Sequence, residues 1–436
     1  MRWPWQDARS LELVAGTPVN CLLLESYSPE LIAAAAKRGL VTLARIAPGG
    51  DTRAAARAAL AAGVSGVALE GSFAEGTAAA VRAEAGSRPV IEITARSRLA
   101  LGSDAPVLAT WQGVWPGIPA EDHGHSRMAG PSGAVWIDTN TGFLRAVRVW
   151  GGKAVWVANA PPPGEVVTTE RYLQAIADAA ICGGRWVVAL DRDFAARLAA
   201  GDGGAKAGWR RMGELLAYFE NHPEWRAMRE AGKLAVVQDP AKGGLLSGGI
   251  LDMIAAKHTP VKPLPPERLT PESLTGTAIA VDVDAGALTP PEAAVLRDFA
   301  HAGGTVLTSP DGFKDERPPG DSITLTKAET EHFNDVWHDV NALVGRENLG
   351  VRLFNVSTMR SNVLASADGK TEIVQLLNYS DYPVENITVQ FLGGYRRATL
   401  LTPDGTEKAL EVYSTEEASA VDIDKVAVCA TLKLEL

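Results

Sequence analysis

Cysteine is scarce in this chain. There are three in 436 residues, Cys21, Cys182 and Cys429, widely spaced and odd in number. That excludes a disulfide framework as the basis of the fold. Each sits among apolar or small residues, as in Asn20-Cys21-Leu22 and Val428-Cys429-Ala430, and reads as a buried reduced thiol. With no CxxC and no paired His/Cys spacing, no zinc or other metal site is expected. Long apolar runs are missing too, since none reaches the ~18 residues of a membrane helix. Residues 1–6 lack the basic and apolar stretches of a secretory signal, which leaves cytoplasmic residence and export with a removed signal both open. Positive charge is in deficit: 42 Lys and Arg face 52 Asp and Glu, a net charge of −10. No basic field exists to hold nucleic acid phosphates or an anionic membrane, so neither is an expected partner. No serine lies in a GxSxG turn and no Cys/His pair stands out, which argues against a triad hydrolase. The glycine-rich stretch 243–249 fits neither GxGxxG nor the Walker pattern, so it reads as a strand-to-helix turn and no cofactor is expected.

What is present describes a globular chain too long for one core. Hydrophobic residues make up 46% and charged residues 22%, which rules out disorder across the whole length. Ten of the 11 tryptophans lie at or before position 225, so the front half reads as a distinct domain. Strand-like runs alternate there with Ala-rich helical segments. The eight strand candidates are 19–25, 41–46, 66–70, 89–94, 106–111, 134–138, 154–159 and 185–190. Helices are expected at 29–38, 52–62, 73–85, 142–150, 169–181 and 208–231, with Ser28 and Asp51 as caps and Gly39 and Gly63 as stops. Eight strand–helix units in residues 1–232 predict an α/β fold, an irregular (β/α)8 barrel of the TIM type, with a doubly wound open sheet as the alternative.

Residues 233–345 predict a small Rossmann-like αβ domain. Its strands are 233–239, 277–283 and 305–309, and its helices are 250–257 and 290–302, with Thr289 as cap. A Pro-rich passage, 259–271, interrupts it; a linker, 311–321, and a helical bridge, 327–343, lead out of it. From 346 to 436 the pattern becomes period-two, and Asp368-Gly369, Gly393-Gly394 and Asp404-Gly405 mark turns. That predicts a C-terminal antiparallel β-sandwich.

Two stretches carry a family resemblance. Residues 289–305, Thr-Pro-Pro-Glu through Gly303-Gly304-Thr305, form a helix with a "GGT" turn into a strand. Residues 372–379 end in Leu377-Asn378-Tyr379, with Pro403-Asp404-Gly405 as a paired turn. Together with the domain order, these resemble glycoside hydrolases of the family 42 β-galactosidase type. The resemblance implies a TIM barrel, an amidotransferase-like αβ domain that trimerises, and a C-terminal β-domain, hence a carbohydrate ligand and a homo-oligomer. The barrel departs from the family pattern. Where the family has an Asn-Glu acid after the fourth strand, this chain has Glu92-Ile93-Thr94-Ala95-Arg96; where it has a Glu nucleophile after the seventh, this chain has Asn159-Ala160-Pro161.

Barrel sites form at the C-terminal strand ends. Those ends carry Glu25, Glu70, Glu92, Trp111, Asp138, Asn159 and Asp191. Glycoside hydrolysis needs two carboxylates, about 5–5.5 Å apart for retention and roughly 6.5–9.5 Å for inversion. Asp138 and Asp191 are the expected pair, with Glu25, Glu70 and Glu92 as ring partners. The structural alternatives are an ion pair of Glu25 with Arg45, a cap at Glu70, pairing of Glu92 with Arg45 or Arg96 inside the barrel, an Asx turn at Asp138 and a helix cap at Asp191. Trp111 and Trp115, four apart in a loop, are expected to stack on sugar rings, with Arg96, Asn140 and Asn159 as further sugar contacts. Trp209 and Trp225 read as core. A metal at Glu121-Asp122-His123-Gly124-His125 lacks a distant third ligand. The leading expectation is a glycoside hydrolase; the second is a catalytically degenerate carbohydrate-binding or assembly protein. Converging free carboxylates favour the first, and carboxylates tied up by arginine favour the second.

Overall fold

The computed structural model describes the chain except residues 117–119, 123–124, 128–138, 162–163, 239–259, 283–287, 309–341, 346–347, 349 and 357, and the side chains of 120–122 and 125–127. It forms two compact units: 1–113 with 152–176 and 184–221, and 114–151 with 177–183 and 222–436. Among the described residues no helix is long and apolar enough to cross a membrane.

The first unit is an eight-stranded parallel sheet. Its strands are β1 (Arg2–Trp3), β2 (Cys21–Leu24), β3 (Val41–Ile46), β4 (Gly66–Glu70), β5 (Val90–Thr94) and β6 (Val107–Thr110). A two-stranded hairpin, β7 (Ala120–Asp122) and β8 (His125–Arg127), precedes the last two, β9 (Ala154–Ala158) and β10 (Gly184–Val187). The sheet order is β1-β2-β3-β4-β5-β6-β9-β10, and Arg2 N–H donates to Val188 C=O at 2.8 Å, joining the first strand to the end of the last. The sheet is therefore a near-closed barrel, as the strand–helix count predicts. Its membership differs in one place. The two-residue strand β1 is too short to show periodicity, and it fills the eighth seat. Strand β6 pairs directly with β9, and the expected strand 134–138 lies outside the described residues.

Leu23, Leu43, Ala68, Ile91, Ile93, Ala109, Ala158 and Val187 pack together inside the barrel, with Trp111 and Trp156 partly buried against them. The alternate residues face the helices α1 (Pro29–Lys37), α2 (Thr52–Ala61) and α3 (Thr77–Ala85). Ser28 Oγ accepts from Leu31 N–H at 3.1 Å and Asp51 Oδ1 from Ala54 N–H at 2.9 Å, so both expected caps are in place. Two more helices follow in the chain, α4 (Thr141–Arg148), which belongs to the second unit, and the longer α5 (Thr169–Ile181). The long helix expected at 208–231 is instead α7 (Gly203–Glu220) and a 3-10 turn at Pro223–Arg226, and a helix not expected, α6 (Arg192–Ala199), comes before it. Pro223 has no N–H and disfavours helical backbone before it, which stops α7.

Among the described residues the second unit holds three sheets besides the β7–β8 hairpin. A parallel one contains β12 (Leu234–Val237), β13 (Val261–Leu264), β14 (Ile279–Asp282) and β15 (Thr305–Thr308), in the order β13-β12-β14-β15. Strand β13 arises within the Pro-rich passage, where no strand is expected; Pro263 is tolerated because β13 is an edge strand among the described residues. Helix α8 (Pro290–His301) starts on a Thr289/Glu292 capping box. The expected helices at 250–257 and 327–343 fall wholly or mostly outside the described residues. The other two sheets are antiparallel: β11 (Arg229–Glu230), β17 (Met359–Ala365), β18 (Thr371–Asn378), β24 (Cys429–Glu435), β20 (Arg397–Leu401) and β21 (Glu407–Leu410) in one, β16 (Val351–Phe354), β19 (Val384–Phe391), β23 (Ser419–Val426) and β22 (Tyr413–Ser414) in the other. Their inner faces share one core, including Val374, Leu376, Val389, Phe391, Val421 and Leu432, which makes the predicted sandwich.

One carboxylate is caught at the edge of that core. Burial pushes Glu372 on β18 up to about 7, against a hydrogen bond from Tyr395 Oη at 3.4 Å that favours the charged form. A carboxyl whose folded pKa exceeds its unfolded value stabilises fully below the unfolded pKa, and loses that contribution as pH rises through the folded one. Glu372→Gln is therefore expected to stabilise the protein at pH 8 by about 1–3 kcal/mol. It should also flatten the stability profile between about pH 4.5 and 7. Urea denaturation across that range checks this, and identical profiles for the two proteins would contradict it.

Candidate active site at the barrel mouth

Period-two alternation turns Arg2, Arg45 and Glu70 to the same side as the interior residues Leu23, Leu43 and Ala68. They meet at the C-terminal end of the barrel with Glu25. Glu70 is the centre: one oxygen takes Nη2 of Arg2 and the other takes Nε of Arg45. Glu25 Oε1 lies 3.3 Å from Arg45 Nη1 and 3.8 Å from Arg2 Nη1. The Glu70 side chain is 7% exposed and that of Glu25 is 65% exposed, so one carboxylate is the floor of the ring and the other its solvent rim. Gly71 makes this placement possible. Its φ is +133°, and a Cβ there would meet Pro48 at 2.4 Å.

Glu92 is not part of the ring. Ile91 and Ile93 point into the barrel, so Glu92 between them faces the helix layer and pairs with Arg82 of α3. Arg45, one of its expected partners, points to the interior side instead. Asp191 caps α6: Oδ1 accepts from Phe194 N–H at 2.9 Å, and Oδ2 from Tyr172 Oη at 2.8 Å and Val167 N–H at 3.3 Å. Burial, with the Asp191 charge adding to it, pushes the Tyr172 hydroxyl well above its ordinary range. Asp191 thus has both oxygens engaged in backbone and tyrosine bonds. Asp138, its expected partner, lies outside the described residues, as does the His123 cluster. Among the described residues no group of three His, Cys, Asp or Glu could hold a metal ion.

The tryptophans separate. Trp111 follows β6, is partly exposed, and packs on the barrel interior beside Ala109 and Ala158. Trp115 is buried, 6% exposed, and offers little surface to a sugar. Arg96 is also buried, with its backbone N–H donating to Gln112 Oε1 at 2.7 Å. Asn159 Nδ2 donates to Gly113 C=O at 2.7 Å, holding the loop after β6. Gly113 fits there because a Cβ would meet Val157, Ala158 and Trp186 within 2.9 Å. In the second unit, fully buried Asn140 spends its amide on Asp178 Oδ2 (2.8 Å) and on Val114 C=O (2.9 Å), which is a structural use. The residue missed from sequence is Arg2. Its signal is an Arg-Trp pair in a run too short to reveal a strand.

No protein-family model and no curated protein matches the sequence. Among solved structures the chain is similar to alpha-L-fucosidase isoenzyme 2 from Paenibacillus thiaminolyticus. The TM-score is 0.60 at 10% identity, over 99% of this chain and 96% of that one. A rhamnosidase from Novosphingobium sp. gives a TM-score of 0.47 at 11% identity, over 83% of this chain and 38% of that one. A GH42 β-galactosidase from G. stearothermophilus gives 0.42 at 10% identity, over 68% of this chain and 56% of that one. The names of these neighbours are those of glycoside hydrolases, and the family 42 assignment is not shown. At these identities the likeness establishes the fold.

Removing Glu70 strands two guanidinium groups, one of them in a mostly buried setting. Glu70→Gln is expected to destabilise by about 2–3 kcal/mol. Glu25→Gln, at the exposed rim, should cost less than about 0.5 kcal/mol. Equal losses in chemical denaturation would refute this division of floor and rim. Asp191→Ala removes a cap and the Tyr172 acceptor, and should cost about 2–4 kcal/mol. A fully stable Asp191→Ala protein would free that carboxylate for another role.

Proposed function

We propose that this chain binds carbohydrate at the barrel mouth without hydrolysing it, as a catalytically degenerate protein on a glycosidase architecture. The observation that carries this reading is the ion-paired ring. Glu25 and Glu70 face the same two arginines, and both Glu70 oxygens are taken by guanidinium donors. Glycosyl hydrolysis asks one carboxylate to deliver a proton and a second to attack or to activate water. Neither Glu25 nor Glu70 can do so without first breaking an arginine pair. The same ring suits recognition. Carboxylate and guanidinium edges present acceptors and donors for sugar hydroxyls, and the partly exposed Trp111 supplies an apolar face for ring C–H groups. Assembly through the parallel sheet β12–β15, and the division at 232 and 345, belong to the same proposal and follow from the family resemblance.

The hydrolase reading is kept in one form, with Asp138 as the acting carboxylate. Aryl glycosides of L-fucose, L-rhamnose and D-galactose, assayed with the wild type, Asp138→Asn and Glu70→Gln, separate the two. No turnover above the buffer rate is expected from any of the three proteins. Turnover that either substitution abolishes would overturn the non-catalytic reading. Titration calorimetry with the free sugars should show binding to the wild type, weakened about tenfold in Trp111→Ala and in Arg45→Gln. Unchanged affinity in both variants would move the ligand away from the mouth.

A further inference from the structure

The sheet β16-β19-β23-β22 uses only one face for the sandwich core. Val351, Val389, Phe391, Val421 and Ile423 point inward. Their neighbours Arg352, Phe354, Thr388, Gln390, Ala420 and Asp422 therefore point outward. Strand register sorts this outer face into two rows. Phe354 stands opposite Thr388, and Thr388 opposite Asp422. Arg352 stands opposite Gln390, then Ala420, then Tyr413.

A solvent face of an antiparallel sheet ordinarily carries polar residues. Here each edge strand carries an aromatic ring, Phe354 at 39% and Tyr413 at 37% exposure. Both rings are held in place. Tyr413 Oη donates to Asp422 Oδ1 at 3.0 Å, and Thr388 Oγ1 donates to the same oxygen at 2.7 Å. Asp422 lies two residues along β23 from Ala420, the register partner of Tyr413. The tyrosine ring must therefore run across Ala420, whose side chain is fully covered, and it turns a face to solvent. At the other edge the Arg352 guanidinium stands 5.8 Å from the centroid of the Phe354 ring. The rings sit three strand spacings apart, ~14 Å across the sheet. Between them lie the low side chains of Thr388 and Ala420, the amide of Gln390, and Asp422, an exposed residue whose second oxygen takes no partner among the described residues.

We infer that this outer face is a second carbohydrate-binding surface, for a neutral oligosaccharide of several units, separate from the barrel mouth. Pyranose C–H faces stack on fixed aromatic rings, and hydroxyls both donate to a carboxylate and pair with an amide. The ring separation suits a chain of sugars rather than one. Uronic or sulfated glycans are disfavoured by Asp422 and by Glu417, which lies 3.7 Å from Arg352 and offsets its charge. A protein partner is a poorer fit, because two isolated rings among polar groups do not make the contiguous apolar centre of a stable interface. The inference does not rest on the barrel reading.

The test uses the full chain with maltohexaose, cellohexaose, xylohexaose and β-1,4-galactohexaose as probes, in titration calorimetry and sedimentation velocity. At least one hexasaccharide should bind the wild type. Tyr413→Ala and Phe354→Ala should each weaken that binding about tenfold with unchanged melting temperature. Trp111→Ala should leave hexasaccharide binding as it was, even where it abolishes binding of free monosaccharides at the mouth. Three outcomes overturn the inference: no hexasaccharide binds; binding is lost in Trp111→Ala but kept in Tyr413→Ala; or the wild type self-associates and Tyr413→Ala releases monomers, which would make this face a contact between copies.

Discussion

A parallel sheet of eight strands must either close on itself or leave two raw edges, and this chain closes it with two residues. Arg2 and Trp3 supply a strand whose backbone joins β2 on one side and Val188 on the other. Everything at the barrel mouth depends on that closure. The backbone of Arg2 completes the hydrogen-bonded ring, and its side chain reaches inward to hold Glu70. Trp3, alternating outward, anchors the same strand in the helix layer with Leu11, Leu22 and Leu31. One dipeptide thus joins sheet topology, outer packing and mouth electrostatics. The chemistry of the mouth follows from how the barrel is shut.

Much of this architecture can be read from local sequence. Helices α1 and α2 announce themselves through Ser28, Asp51 and the glycines that follow, because cap and stop residues act within one turn of chain. The apolar strands β3 to β6 and β9 are legible for a similar reason. The failures have physical causes as well. Strand β1 spans a single strand period, too short for an alternation to show. Pro223 carries the information that ends α7, but the amphipathic run around it masks it. Glu92 reads as interior from its place near the C-terminal end of a strand, yet strand parity between Ile91 and Ile93 sends it outward. Parity is a property of the neighbours rather than of the residue.

The candidate site shows a sharper limit. Sequence identifies which strand ends carry carboxylates, and Glu25 and Glu70 do meet at the mouth with Arg45. What it does not reveal is occupancy. Asp191 looks like a free acid until Tyr172, nineteen residues earlier, is found on its carboxylate. Asn140 looks like a ligand contact until Asp178 is found beside it, with Tyr379 donating to the other oxygen of that Asp at 2.6 Å. Such partners come from distant segments, and no local pattern encodes them. Whether an acid is reactive or structural is decided by those long-range bonds.

The closing strand also dictates an order of assembly. During synthesis β1 is made first, yet Val188 comes 186 residues later in the chain. Until then β1 to β6 and β9 can form only an open sheet with both outer edges unpaired. Closing so long a loop is entropically slow, and a parallel edge left waiting is prone to pair with another molecule. Yield from cells should therefore depend on how quickly the segment around β10 follows, and on chaperones that shield an open sheet, more than on the stability of the finished barrel.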